Sequence, residues 1–395
     1  MDHNQQTPLC LAAAYGYEDI LLALFDNGAS ASGRCGPGTV LHCVVDGARR
    51  RKNFADESGL VQILLHNGAD IYALNHDGLT ALHLAAGNGD EATVKGLVSL
   101  GSDPFYRDPK SSVSPLGFAI QKYRLDIVKV FLKKEIQRLG WKAMLSILEG
   151  ERIAMADLVV RVEASSDLRD AARWTALHFM ADKGDASTVQ ALLRARAEID
   201  AKTSKKQTPL ALAARNGHSN VAKILLDENA SVDERTECGD TPLILAATHN
   251  HTSVAEILLD GKANIHARLP SNNKDSLAIA SVNVHVKMVE LLLDRGAQIE
   301  GVGWNGATPL GEATWGGRVE TTRLLVKRGA NMEARQAQGQ TPLHYAMATH
   351  KYDVVRLLLE MGADKHNADD TGESAVARAE KSSSPVFKKL LLGDS

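Results

Sequence analysis

The chain is 395 residues long, enough for two or three domains of ordinary size. Its 45 Lys+Arg against 48 Asp+Glu leave a net charge of −3, which argues against a dedicated nucleic-acid or membrane-surface protein. Hydrophobic residues make up 44%, no window approaches the ~18 apolar residues of a membrane span, and the four cysteines show no metal-ligand spacing, so the expectation is a soluble intracellular chain with reduced thiols.

From the N-terminus, the first short helix is predicted after Thr7-Pro8-Leu9, where Thr caps the start and Pro fills the first helical position. The apolar run Ile20–Phe25 follows acidic Glu18 and Asp19 and is too short for a signal peptide. It reads as the second helix of a pair, closed by Gly28-Ala29. The same pattern restarts at Thr39, Thr80 and Ser114, at spacings of 32, 41 and 34. The long second interval places an insertion at about 48–56, including the basic run Arg49-Arg50-Arg51-Lys52. That run is expected to be a solvated loop, with a nuclear-import or anion-binding cluster as the alternative.

Trp141-Lys142-Ala143-Met144-Leu145 reads as a degenerate start, giving an irregular unit over 140–172. From Thr175 the phase is regular: 175, 208, 241, 275, 308, 341 and 374 are spaced 33, 33, 34, 33, 33 and 33. Within Thr208–Ala214, Leu210, Ala213 and Ala214 form a buried stripe, and Asn216-Gly217 stops the helix. Val221–Leu226 is the second helix of that pair. One such pair cannot bury its apolar face alone, so the units must stack into a solenoid.

Thr-Ala-Leu-His-Leu-Ala-Ala at 80–86, Thr-Ala-Leu-His at 175–178 and Thr-Pro-Leu-His-Tyr-Ala at 341–346, together with the recurring Gly-Ala turns, resemble ankyrin repeats. The resemblance runs through essentially the whole chain. It implies an all-α solenoid of stacked helix-turn-helix units with short loop or β-hairpin fingers. The expected organisation is repeats 1–4 over 1–139, the degenerate repeat 5 over 140–172, repeats 6–11 over 173–373, and a capping repeat over 374–395. About twelve units at roughly 8–10 Å each would make a curved array on the order of 100 Å long.

No tract is left for a catalytic domain, and no P-loop, GxSxG, HExxH or strand-associated GxGxxG is found. The expected function is a protein-interaction scaffold or adaptor binding through the concave groove, without catalysis of its own. Two alternatives stand beside it. One is an enzyme or small-molecule binder with a pocket in region 114–175 or in the Trp-rich groove. The other is a targeting or regulatory subunit of a separate catalytic chain.

The resemblance implies that partner contacts come from the loop tips before each Thr anchor and from the ends of the first helices. Trp174, Arg215, His249, Trp304, Asn305 and Trp315 fall there, and Trp and Arg are the residues most enriched in binding hot spots. Trp304 and Trp315 are the expected anchors, with Trp174, Arg215 and His249 flanking them. By the same resemblance, His42, His83, His178 and His344 tie neighbouring turns together. His249-Asn250-His251 has no evident third ligand, so no metal site and no cofactor are expected. Glu312, one turn before Trp315, is expected to be part of a solvated face rather than an acid/base pair. The expected partners are one or more proteins, with no nucleic acid and no membrane. The expected state is a monomer, and the expected location the cytoplasm, with the nucleus as the alternative.

Overall fold

The computed structural model describes residues 6–48, 58–107, 113–122, 124, 126–133, 136 and 169–393. The chain forms two compact units, 1–171 and 172–395. Among the described residues there are eleven helix pairs, four in the first unit and seven in the second. The insertion near 48–56 and the degenerate unit at 140–172 lie almost wholly outside the described residues.

In the first unit the pairs begin with the helices Pro8–Tyr15, Val40–Ala48, Ala81–Asn88 and Pro115–Gln121. A two-residue antiparallel hairpin, Arg34–Cys35 with Gly38–Thr39, forms one of its fingers. Cys10 and Cys35 are joined by a disulfide, which corrects the expectation of reduced thiols throughout. The reason is packing. Cys10 takes the place in the first helix that histidine holds in other repeats, and the next finger brings Cys35 down upon it.

In the second unit the first helices are Ala176–Lys183, Pro209–Asn216, Pro242–Thr248, Ser276–Val282, Pro309–Trp315, Pro342–Ala348 and Ala375–Lys381. The inner ones are enclosed, with every residue from Pro209 to Ala214 buried, whereas the last, Ala375–Lys381, buries only Ala375 and Ala379. Each second helix buries a single stripe, such as Val221, Ala222 and Leu225. Small and aliphatic side chains suit this layering because they allow close approach between thin layers.

The histidines do what the resemblance implied. The Thr175 N–H donates to His178 Nδ1 at 3.1 Å, which leaves Nε2 protonated to donate to the Gln207 carbonyl at 3.0 Å. His42, His83 and His344 repeat the arrangement toward the carbonyls of Leu79, Val113 and Glu373. Burial lowers the pKa of His42, His83 and His344 below the ordinary histidine value, so these three stay neutral.

Further ties cross from one repeat to the next along the fingers. The N–H groups of Ser204, Glu237, Trp304, Ala337 and Asp370 donate to the carbonyls of Ala172, Lys205, Asn272, Asn305 and Gln338. Pro270 stands where the same series calls for another donor and has no N–H. There the Arg235 guanidinium reaches the carbonyls of Gly239 and Arg268 at 2.7 and 2.9 Å. Successive fingers are thus held in a fixed register, a condition for a preformed binding surface.

Candidate functional site

The best-defined candidate surface lies in the second unit, where the fingers meet the first helices. Its floor can be read from one repeat position, four residues after each Thr-type anchor. Phe179, Leu212, Leu245 and Ile279 hold it in four successive repeats, and all are buried. At the next repeat the position turns polar, with Glu312, then Tyr345 and Arg378. Lys274 Nζ, from the finger before one helix, lies 2.7 Å from Glu312 Oε2 in the middle of the next. Lys274 was not found by sequence reasoning, although the switch from apolar residues to Glu312 at this position was a readable signal.

Glu312 is only 4% exposed, which overturns its expected place on a solvated face. One oxygen is held by Lys274, whereas Oε1 is buried without a hydrogen-bond partner. Nearby, Gln336 fills the space beside Gly311, where other repeats carry a histidine. Both polar atoms of the Gln336 amide are likewise unpartnered. A buried donor or acceptor left unmatched costs roughly 1–3 kcal/mol. This stretch of the surface therefore carries unmet hydrogen-bonding capacity.

The expected anchors are open to solvent. Trp304, at a finger tip, is 70% exposed, and Trp315, at the end of its helix, is 54% exposed. Val302 and Val284 add further exposed apolar surface in the same repeats. Indoles this open leave most of their large apolar area available to a partner. Asn305, between the Trp304 tip and the next helix, is exposed, and its Oδ1 accepts from the Ala307 N–H at 3.2 Å.

The flanking residues are more engaged. Trp174 is half-buried against the rings of His178 and Phe179, at 6.1 and 6.4 Å between centroids. Arg215 donates to Asp182 Oδ1 at 3.0 Å, and Asn216 and His218 converge on the same aspartate. His249 is exposed and stacks on His251 at 6.2 Å. Desolvation lowers its pKa, and the neighbouring charges of His251, Arg215 and His285 add to the effect. His251 in turn donates to the Arg215 carbonyl, which occupies its Nε2 in packing.

Comparisons with known proteins bear on this surface. The family model for ankyrin repeats (three copies) matches residues 53–139, 143–236, 228–302 and 299–369. The B-cell lymphoma 3 protein homolog of Mus musculus is 32% identical over 134 residues, which take in 33% of this chain and 29% of that protein. Among solved structures, the human ASB11 ankyrin repeat domain aligns with a TM-score of 0.51 at 27% identity, covering 56% of this chain and 99% of that one. The ankyrin repeat domain of Bcl-3, a member of the IkappaB protein family, aligns with the same score at 28% identity and the same coverage. This chain thus spans less than a third of the curated relative's length. Among the described residues no helix is long and apolar enough to cross a membrane.

Proposed function

Since the chain belongs to the ankyrin-repeat family, we propose that it is a protein-interaction scaffold whose main binding surface is the finger and first-helix face of residues 172–395. The observation that carries this reading is the exposure of Trp304 and Trp315 on a frame whose fingers are locked in register by backbone hydrogen bonds. A rigid frame loses little conformational entropy when a partner docks, and two open indoles supply large apolar area at its centre. Trp304 and Trp315 are the anchors. Asn305 shapes the finger between them, and Trp174, Arg215 and His249 flank the surface at its N-terminal side.

The partner is a protein, and the scaffold works as a monomer. The place of action is the cytoplasm, where a disulfide such as Cys10–Cys35 is a transient redox state rather than a permanent staple. Nothing in the surface favours a catalytic reading. Glu312 is tied to Lys274, and the exposed His249 has its stacking neighbour His251 committed to a backbone carbonyl.

The test is affinity capture from native lysate with the wild-type chain and with a Trp304→Ala, Trp315→Ala double variant. A protein retained by wild type and lost by the variant supports the reading. Identical capture by both moves the binding surface elsewhere.

A further inference from the structure

Three thiols that are far apart in the sequence meet in the first unit. Cys10 lies in the first helix, Cys35 in the finger hairpin, and Cys43 in the second repeat's first helix. Their sulfur atoms all lie within 4.8 Å of one another. Cys10 and Cys35 are buried, at 1% and 3% exposure, and Cys43 is half-buried. Thr7 Oγ1 sits 2.9 Å from Cys10 Sγ, an outer contact of the kind that orients a metal-binding sulfur. A cavity of about 120 Å³ opens beside the cluster, lined by Cys35, Cys43, Asp46 and Gln6 among others. It is large enough for several water molecules and supplies an entry path.

We propose that the reduced chain binds one zinc ion through Cys10, Cys35 and Cys43, with water from the adjoining cavity in the fourth position and Asp46 on its wall. Three sulfurs in one place are a soft donor set, which selects zinc over magnesium or calcium. Zinc–sulfur bonds of about 2.3 Å in a tetrahedral site set the sulfurs roughly 3.8 Å apart. The Cys10 and Cys35 sulfurs, bonded to each other here, must therefore separate on reduction, while all three already lie within 4.8 Å of one another. His42 lines the same cavity but is not a ligand. Its Nδ1 accepts from the Thr39 N–H at 3.1 Å, and its Nε2 donates to the Leu79 carbonyl at 2.9 Å.

The Cys10–Cys35 disulfide is then the oxidised, metal-free form of the same site. With hydrogen peroxide as oxidant, the two zinc-bound thiolates give up two electrons and form the S–S bond. The peroxide takes those electrons with two protons from solvent, yielding two waters, and the zinc ion is released. Occupancy of the site thereby follows the thiol redox state, and the metal ties the first repeat to the finger and helix of the second.

The experiment uses the full chain, reduced with a phosphine and freed of metal under anaerobic conditions, then titrated with Co²⁺ as a spectroscopic probe and with Zn²⁺. The expected result is one equivalent bound, a sulfur-to-cobalt charge-transfer band, and loss of that band on adding one equivalent of Zn²⁺. Cys43→Ser should remove most of the band, and stoichiometric peroxide should abolish binding. Cys238→Ser, at an exposed thiol outside the cluster, should leave both unchanged. Asp46→Asn should keep the band and alter only affinity. Because Cys43 is not part of the disulfide, its variant is expected to fold, and far-ultraviolet circular dichroism verifies that. No charge-transfer band in the reduced wild type, or the same band in folded Cys43→Ser, overturns the proposal.

Discussion

Lys274 and Glu312 form an ion pair at 2.7 Å that spans two repeats, with the carboxylate side chain only 5% exposed. Glu312 holds the position where Phe179, Leu212, Leu245 and Ile279 sit in the preceding repeats. Removing Lys274 strands a carboxylate in a place built for an apolar side chain. Lys274→Ala is therefore expected to cost about 2 kcal/mol, below the full penalty for a buried pair because the lysine is 23% exposed. Lys274→Ala combined with Glu312→Leu should recover most of that loss. Urea denaturation midpoints measure both, and an additive effect of the two substitutions would contradict the account.

Val284 joins two helices with φ at +69°, a left-handed conformation that crowds a β-branched side chain. At the matching turn the neighbouring repeats carry Gly217, Asn250 and Gly317. Val284→Gly is expected to raise stability by roughly 1 kcal/mol, since the relieved strain outweighs the added freedom of the unfolded chain. A lower melting temperature for this variant would show that Val284 makes a contact worth more than its strain.

Thr321 is fully buried and its hydroxyl has no hydrogen-bond partner, whereas Val221, Val254 and Val354 stand at the same place in other repeats. Thr321→Val keeps the shape and removes the unmatched polar group. The expected gain is about 1 kcal/mol, read from the same denaturant midpoint. No change or a loss would mean that the hydroxyl is satisfied in solution.

Acid should weaken the fold in a defined order. His42, His83 and His344 have folded-state pKa values depressed by burial from 6.5. Below about pH 6.5 the unfolded chain takes up protons that these sites refuse, so stability falls as pH drops through that value toward the lowered folded values. Asp369, held well below the usual carboxylate range by Thr371, by backbone N–H groups and by Arg378, contributes a separate loss at more acidic pH. Denaturation midpoints between pH 7.5 and 5.5 should decline, and more shallowly in His344→Gln. A flat profile across that interval would contradict the assignment of buried neutral histidines.

Much of the architecture was legible because the repeat encodes its own physics. Thr caps, Pro openings and the histidine ties recur at one spacing, and each of them makes the local contact that the pattern implies. The exposure of Trp304 and Trp315 was legible too, because they fall at positions where the fold requires no large side chain. What escaped was chemistry assembled across repeats. The spacing of Cys10, Cys35 and Cys43 matches no ligand motif, since a helix, a hairpin and a second helix bring them together. The Lys274–Glu312 pair crosses 38 positions and is visible only once repeats are aligned face to face. Arg215 read as a residue flanking the binding surface, and its pairing with Asp182 of the neighbouring repeat was not legible.

The central claim is that the face bearing Trp304 and Trp315 is the binding surface. The most direct measurement is the affinity of a captured partner for wild type, for Trp304→Ala with Trp315→Ala, and for Arg295→Ala with Arg328→Ala. The last pair lies at the C-terminal ends of second helices, in ion pairs with Asp260 and Asp294. Loss of two hot-spot indoles at about 2 kcal/mol each predicts a weakening on the order of 1,000-fold, with the arginine variant within about threefold of wild type. Equal affinity for wild type and the tryptophan variant, with both folded, would contradict the account.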